Sequence, residues 1–244
     1  MNIAVMQPYY FPYIGYFQLI AEVDIFVILD DVQYIRRGWI NRNRILLNGC
    51  PHSMCIPVNS VERSMTINKI RIADDSERSL TKLFELLRHA YEKCPGWKQV
   101  RMGIKPLELA KPGSALLPIL EKSIEYVCEK FNIRTTFIRA SAIGGAEYSG
   151  VRRILYLMQR LGGKRYINPI GGIKLYKDEM FVSNNIELLF LLPNLASYPQ
   201  RKISEFIPSL SVLDILANVE RNKFAGIMGQ RKLVTLHEAL ERNR

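Results

Sequence analysis

The sequence predicts an α/β protein: an open, mainly parallel sheet flanked by helices, with a β-hairpin insertion and C-terminal helices. Three observations predict it. The first 32 residues read as strand, loop, helix, strand. Strand and helix patterns alternate again from residue 134 onward. Between the two stretches lie a β-rich segment, about 35–73, and a helical segment, about 77–131. Strands that alternate with helices imply parallel pairing. With 244 residues the chain is read as a single α/β domain over 1–244.

"NIAVM" is a strand-length apolar run. "QPYYFP" follows, and its two prolines force an extended loop. "YIGYFQLIAEV" has Ile14, Phe17 and Ile20 at near-helical spacing. "DIFVILDDV" is a second buried strand that ends in Asp30 and Asp31. "RNRILLNGCPHSMCIPV" predicts a hairpin turning at "NGCP". "INKIRIA" alternates and predicts a further strand. Helices are predicted at about 77–93, 98–111 and 115–131, the last two separated by "PGS". Then come a strand in "RTTFIRAS", a helix from about Gly150, a strand in "KRYINPI", a turn and helix in "GGIKLYKDEMFVSNN" and a strand in "IELLFLL". "SVLDILANV" and "KLVTLHEALER" read as two closing helices.

Composition narrows the function classes. Prolines and Gln7 interrupt the apolar start, so it does not read as a secretory leader, and no apolar run is long enough to span a membrane. Cys50, Cys55, Cys94 and Cys128 have no CxxC spacing and read as reduced thiols of a cytoplasmic protein. Three unpaired histidines predict no metal site. GxxxxGK[ST], GxGxxG and GxSxG are all absent. A formal charge of +11 fits anionic partners, or else an ordinary surplus of surface Lys and Arg. No nucleic-acid motif accompanies it, so a nucleic-acid partner is not expected.

In open parallel sheets, ligands bind beyond the carboxyl ends of the strands. That rule selects Gln7 and the aromatic loop, then Asp30, Asp31, Gln33 and the arginine patch, then Gly171 and Gly172, then Tyr198 and Gln200. Tyr13 and Tyr16 offer flat faces for a sugar or base, or else are core. Gly15 fits either an anion at a helix start or tight packing. Asp30 and Asp31 fit a general base, or a partner for a nearby arginine. Arg36, Arg37, Arg42 and Arg44, set around Trp39, Asn41 and Asn43, fit two-point phosphate binding, or a solvated hairpin face.

Taken together, "MQPYYFPYIGYFQLI", "DDVQYIRRGWINRNRIL", "NPIGGIKLY" and "YPQRKISEFIPSLSVLDIL" resemble the WbqC-like family over nearly the whole chain. The resemblance implies a role in bacterial O-antigen or other surface polysaccharide biosynthesis. It implies acyl or aminoacyl transfer to the amine of a nucleotide-linked amino sugar. Alternatives are a nucleotidyltransferase-like enzyme, whose HxGH loop would here read "PYIGY", and a non-catalytic sugar-nucleotide-binding protein. The motifs carry over onto Gln7, Pro8, Pro12, Tyr13, Gly15 and Tyr16; onto Asp30, Asp31, Gln33, Tyr34, Arg36, Gly38, Trp39, Asn41, Arg42 and Asn43; onto Asn168, Pro169, Gly171, Gly172 and Tyr176; and onto Tyr198, Gln200 and Phe206. The base role falls to Asp30 or Asp31 and the diphosphate to Arg36, Arg37 or Arg42. No tightly bound cofactor is implied. The acyl donor implied is a thioester, for instance on an acidic acyl or peptidyl carrier protein.

Overall fold

Residues 1–193, 195–229 and 231–242 are described here from a computed structural model, Leu109 without its side chain. Its strands are β1 (Asn2–Met6), β2 (Ile25–Ile28), β3 (Arg42–Leu47), β4 (Cys50–Cys55), β5 (Thr136–Arg139), β6 (Arg165–Pro169), β7 (Glu187–Pro193) and β8 (Arg231–Thr235). Its helices are α1 (Ile14–Ile20), α2 (Glu77–Tyr91), α3 (Trp97–Ile104), α4 (Leu117–Lys130), α5 (Ala140–Ile143), α6 (Gly150–Leu161), α7 (Asp178–Val182), α8 (Val212–Asn218), α9 (Phe224–Gly229) and α10 (Leu236–Arg242).

Six strands form one sheet in the order β5-β2-β1-β6-β7-β8, and β3 pairs with β4 apart from it. The first five are mutually parallel, and β8 runs antiparallel to β7. Side chains alternate across each strand, so both faces must be covered. Ala4, Phe26, Ile28, Leu189 and Leu191 face a core shared with α1 to α4, α8 and α9. Ile3, Val5, Val27, Leu188 and Phe190 face a second core under α6, α7 and α10. Burying each large side chain contributes about 1.5–3 kcal/mol. That explains why these strands read as unbroken apolar runs.

The hairpin forms as expected. Asn48 and Gly49 make its two-residue turn, with φ of 50° and 82°. Such a turn needs positive φ at both positions.

Two expectations are corrected. "INKIRIA" forms no strand. It makes only isolated antiparallel bridges, Arg71 with Ala115 and Ile72 with Val58, while the Ile67 and Asn68 N–H groups donate to the Val32 and Asp30 carbonyls. Ile67, Ile70 and Ile72 are all buried, so the core rather than a ladder holds the segment. "KLVTLHEALER" is not one helix. Leu233, Val234 and Thr235 belong to β8, and α10 begins at Leu236. The apolar edge of β7 supplies a hydrogen-bonding partner that outweighs helical spacing. The short helices α5 and α9 carry too few residues for a periodic signal.

Candidate functional site

β1 lies between β2 and β6. The chain leaves β1 toward β2 and the outer β5, then crosses back to β6. The carboxyl ends of β1 and β6 therefore flank the point where the winding reverses, the place where open α/β sheets bind ligands.

At the end of β2 the two aspartates part company. Asp30 is 1% exposed. Its Oδ1 accepts the Ser141 N–H at 3.0 Å, and its Oδ2 accepts the Ser141 hydroxyl at 2.7 Å and Asn68 Nδ2 at 3.3 Å. Both oxygens are thus committed to the start of α5 and to the 67–72 segment. Asp31 Oδ2 accepts Arg153 Nη2 at 2.7 Å, while Oδ1 is buried with no partner. Burial pushes the Asp31 carboxyl above its ordinary range, against the lowering pull of Arg153. Adjacent strand residues should face opposite ways. Here the chain turns at Asp30, whose N–H donates to the Ile28 carbonyl, and both carboxylates meet the 140–153 region.

The arginine patch splits by alternation. Ile40, Asn41, Asn43 and Ile45 are buried, while Arg42 and Arg44 take the other face of β3. Tyr34 donates to Asn41 Oδ1 at 2.7 Å, and Asn41 Nδ2 donates to the Ile56 carbonyl at 2.7 Å. Asn43 Nδ2 donates to the Tyr10 and Phe11 carbonyls at 3.1 and 2.6 Å. Tyr10 N–H in turn donates to the Ile40 carbonyl at 3.0 Å. Asn43 therefore holds the aromatic loop against the hairpin, and Asn41 ties Tyr34 to the strand end at Ile56. Arg36, Arg37 and Arg42 line an open cleft of about 400 Å³ with Tyr34, Asn41 and Cys55. Arg36 donates to the Val61 carbonyl, and Arg37 adopts a φ of 61°. Arg42 Nε is buried without a partner. Trp39 is 48% exposed, with the Arg44 guanidinium 5.7 Å from its ring centre. Gln33 donates to the Arg63 carbonyl at the rim of a neighbouring groove.

The aromatic loop is mostly core. Tyr16 is 3% exposed, packs on Tyr9, Phe17 and Phe26, and donates its hydroxyl to the Gln7 carbonyl at 2.9 Å. It has no free face for stacking, contrary to the sequence expectation. A Cβ on Gly15 would lie 2.4 Å from the Tyr13 ring. That glycine answers tight packing, and Tyr13 covers the backbone an anion would need. Of the two tyrosines, only Tyr13 is partly open.

After β6, Asn168 is buried and accepts the Tyr166 hydroxyl at 3.0 Å. A Cβ on Gly172 would lie 2.0 Å from Asn168 Nδ2, whereas one on Gly171 would meet nothing within 4 Å. The Tyr176 hydroxyl is 3.0 Å from that of Tyr166, inside an aromatic cluster with Phe181 and Phe190.

Tyr198 and Gln200 stand apart from the arginine cleft. Both donate to Asp214 Oδ2, at 2.9 and 3.1 Å. Asp214 is wholly buried, and burial raises its pKa despite those bonds.

Arg153 and Asp214 were not singled out by sequence. A signal existed for Arg153, which shares the stripe of Ile154 and Leu157 on α6. An arginine on an apolar helix stripe needs a buried acid. Among the described residues, no group of three or more His, Cys, Asp or Glu side chains is placed to hold a metal ion, and no helix is long and apolar enough to cross a membrane.

Comparison with known proteins agrees with the motifs. The chain is 25% identical over 219 residues to the uncharacterized protein Rv1507c of Mycobacterium tuberculosis (strain ATCC 25618 / H37Rv), covering 89% of this chain and 94% of that protein. No solved structure matches the chain. The model of the WbqC-like protein family matches residues 7–225, which hold the four motifs of the resemblance except for Met6 at the start of the first. This chain therefore belongs to the WbqC-like protein family.

Proposed function

We propose that the protein transfers an acyl or aminoacyl group to the amine of a nucleotide-linked amino sugar, in bacterial surface polysaccharide biosynthesis. One observation carries this reading. The segment from Asp31 to Arg42 supplies an arginine-lined cleft and, outside the lining of that cleft, a carboxylate with one unpartnered oxygen. Arg36, Arg37 and Arg42 suit a diphosphate, and the unpartnered Arg42 Nε is a donor in need of an acceptor. Trp39 offers an exposed ring for a base or sugar.

The chemistry follows from these groups. The sugar amine attacks the carbonyl carbon of a thioester donor. A C–N bond forms, the C–S bond breaks, and the thiolate leaves. Asp31 accepts the proton that the amine loses, and the thiolate takes up a proton as it leaves. A pKa raised by burial makes Asp31 a stronger base than a solvated carboxylate. Asp31 rather than Asp30 is given this role because the Asp30 oxygens accept three bonds from Ser141 and Asn68. A formal charge of +11 would favour an acidic carrier protein as donor.

The test is ligand-induced thermal stabilisation followed by a transfer assay. Nucleotide-linked amino sugars should stabilise the wild type, and R36A/R42A should abolish the shift. D31N should retain binding and lose transfer. A shift with Mg-ATP or Mg-CTP alone would favour nucleotidyl transfer instead. Binding with no turnover for any donor would leave a non-catalytic sugar-nucleotide-binding protein.

A further inference from the structure

A second cleft, of about 420 Å³, opens at the other end of the hairpin. It shares no lining residue with the cleft of Arg36, Arg37 and Arg42. Arg42 lies at the open end of the hairpin and Leu47 beside the turn, so five residues at ~3.4 Å each separate them by about 17 Å. That distance makes the second cleft a separate site rather than an extension of the first.

Three segments remote in sequence build it: the hairpin turn at Asn48, the end of α2 with Lys93 and Cys94 beyond it, and the pair Arg201 and Lys202. Asp214 and Asn218 of α8 line its floor. The walls are fixed. Lys202 Nζ donates to Asn48 Oδ1 at 3.3 Å, and its carbonyl lies where a Cβ on Gly49 would be only 2.4 Å away. Tyr198 and Gln200 tie the neighbouring backbone to Asp214, and Gln200 also bonds both ways with Ile207. Lys93, Arg201 and Lys202 are in no ion pair among the described residues. Of the two acids in the lining, Glu92 is paired with Arg88 Nη1 at 2.9 Å, and burial pushes the Asp214 carboxyl toward its neutral form, so repulsion of an anion is weakened.

The geometry points to a binding site for a small phosphorylated molecule, its phosphate held by Lys93, Arg201 and Lys202. Three cations that line one cleft of small-molecule size, none of them in an ion pair among the described residues, are the basis for this assignment. The phosphate could belong to a sugar or a nucleotide. Asn48 and Asn218 are placed to meet the ligand's hydroxyls.

Pyrophosphate titrated calorimetrically into the full chain tests the site. In R36A/R42A the first cleft is silenced, and pyrophosphate should still bind. Adding R201A/K202A should weaken that binding by about tenfold or more. R201K/K202R, which keeps the charges, should retain it. Parallel titrations with glucosamine 1-phosphate and AMP distinguish a sugar phosphate from a nucleotide. The proposal is overturned if R36A/R42A binds no pyrophosphate, or binds it equally well with alanines at 201 and 202. Should R36A/R42A fail to fold, wild-type protein gives the answer. Saturating pyrophosphate should slow alkylation of Cys94, and an unchanged rate overturns the site.

Discussion

Arg153 Nη2 donates to Asp31 Oδ2 at 2.7 Å, and the two side chains are only 4% and 11% exposed. The pair is unequal. Arg153 also donates to the Gly144 and Ala140 carbonyls, whereas Asp31 keeps one oxygen without a partner. Replacing either member should therefore have different consequences. R153M leaves a buried carboxylate without its cation and the Gly144 carbonyl without this donor, while the Ala140 carbonyl keeps the Gly144 N–H, and it should cost about 3–5 kcal/mol. D31N keeps an oxygen that can accept from Arg153 but leaves that buried guanidinium without its counter-charge, so it should be destabilising by less than R153M.

The pH dependence has a definite sign. The folded pKa of Asp31 is raised above 3.8, so the folded protein holds this proton to higher pH than the unfolded chain does. Stability from this site is fullest in acid and falls as pH rises through the raised value. D31N lacks the effect, so its urea midpoint should gain on that of the wild type as pH rises. A D31N deficit that instead grows with pH would mean that Arg153, and not burial, dominates.

Gly171 and Gly172 look equivalent in sequence but should not tolerate change equally. Alanine at 171 meets open space, at ordinary φ, and should alter stability by no more than about 0.5 kcal/mol. At 172 the new methyl would press on Asn168 Nδ2, which already donates to the Pro169 carbonyl at 3.0 Å. Overpacking there should cost about 1–3 kcal/mol. Thermal melts of the two single variants check the contrast. Equal melting temperatures would remove the packing explanation for the glycine.

What could be read from the sequence was set by local chemistry. Apolar runs fixed the strands because β1 and β7 are covered on both faces, and Asn48-Gly49 fixed the hairpin turn. The aspartates and arginines were visible as residue types. Their assignment was not, because it depends on partners far along the chain: Ser141 and Asn68 for Asp30, Arg153 for Asp31, Tyr10 and Phe11 for Asn43. The aromatic loop misled for a related reason. A tyrosine's polar tip reads as functional, yet Tyr16 spends its hydroxyl on the Gln7 carbonyl inside the core. Tyr198 and Gln200 were found by motif, but their shared acceptor Asp214 lies at least 14 residues away on α8 and carried no signal of its own.

The four cysteines should report on the two clefts separately. Cys50 and Cys55 are exposed, and Cys94 and Cys128 are buried. Burial pushes the Cys128 thiol up to about 12, so it should react only on unfolding. Cys50 should react fastest. Cys55 should lag, since burial raises its pKa despite Arg42, and its sulfur contacts Asn41 Nδ2 at 3.3 Å. Cys55 lines the arginine cleft, so a bound nucleotide sugar should slow its alkylation further and leave Cys50 unchanged. Peptide-resolved mass spectrometry over a labelling time course reads all four rates. Equal rates at Cys50 and Cys55, with or without nucleotide sugar, would count against ligand binding in that cleft.

The contribution of the Tyr198–Asp214 bond should depend on pH, because its acceptor is a titrating carboxyl. Asp214 is raised above 3.8 by burial, while Tyr198, Gln200 and Tyr91 pull it back down. Y198F removes one of these donors. The ionised carboxylate then loses a charge-assisted bond worth about 1.5–3 kcal/mol, whereas the neutral acid loses less. The wild type itself loses stability as pH rises through the raised pKa, because the folded carboxyl holds its proton longer. In Y198F that pKa moves higher still. The deficit of Y198F should accordingly be small in acid and grow with pH, and it should saturate once Asp214 is ionised in both proteins. Urea unfolding across the titration measures it, with D214N as the control whose site cannot ionise. A deficit that stays constant with pH would show that Tyr198 stabilises through its ring against Phe206 and not through its bond to the buried carboxylate.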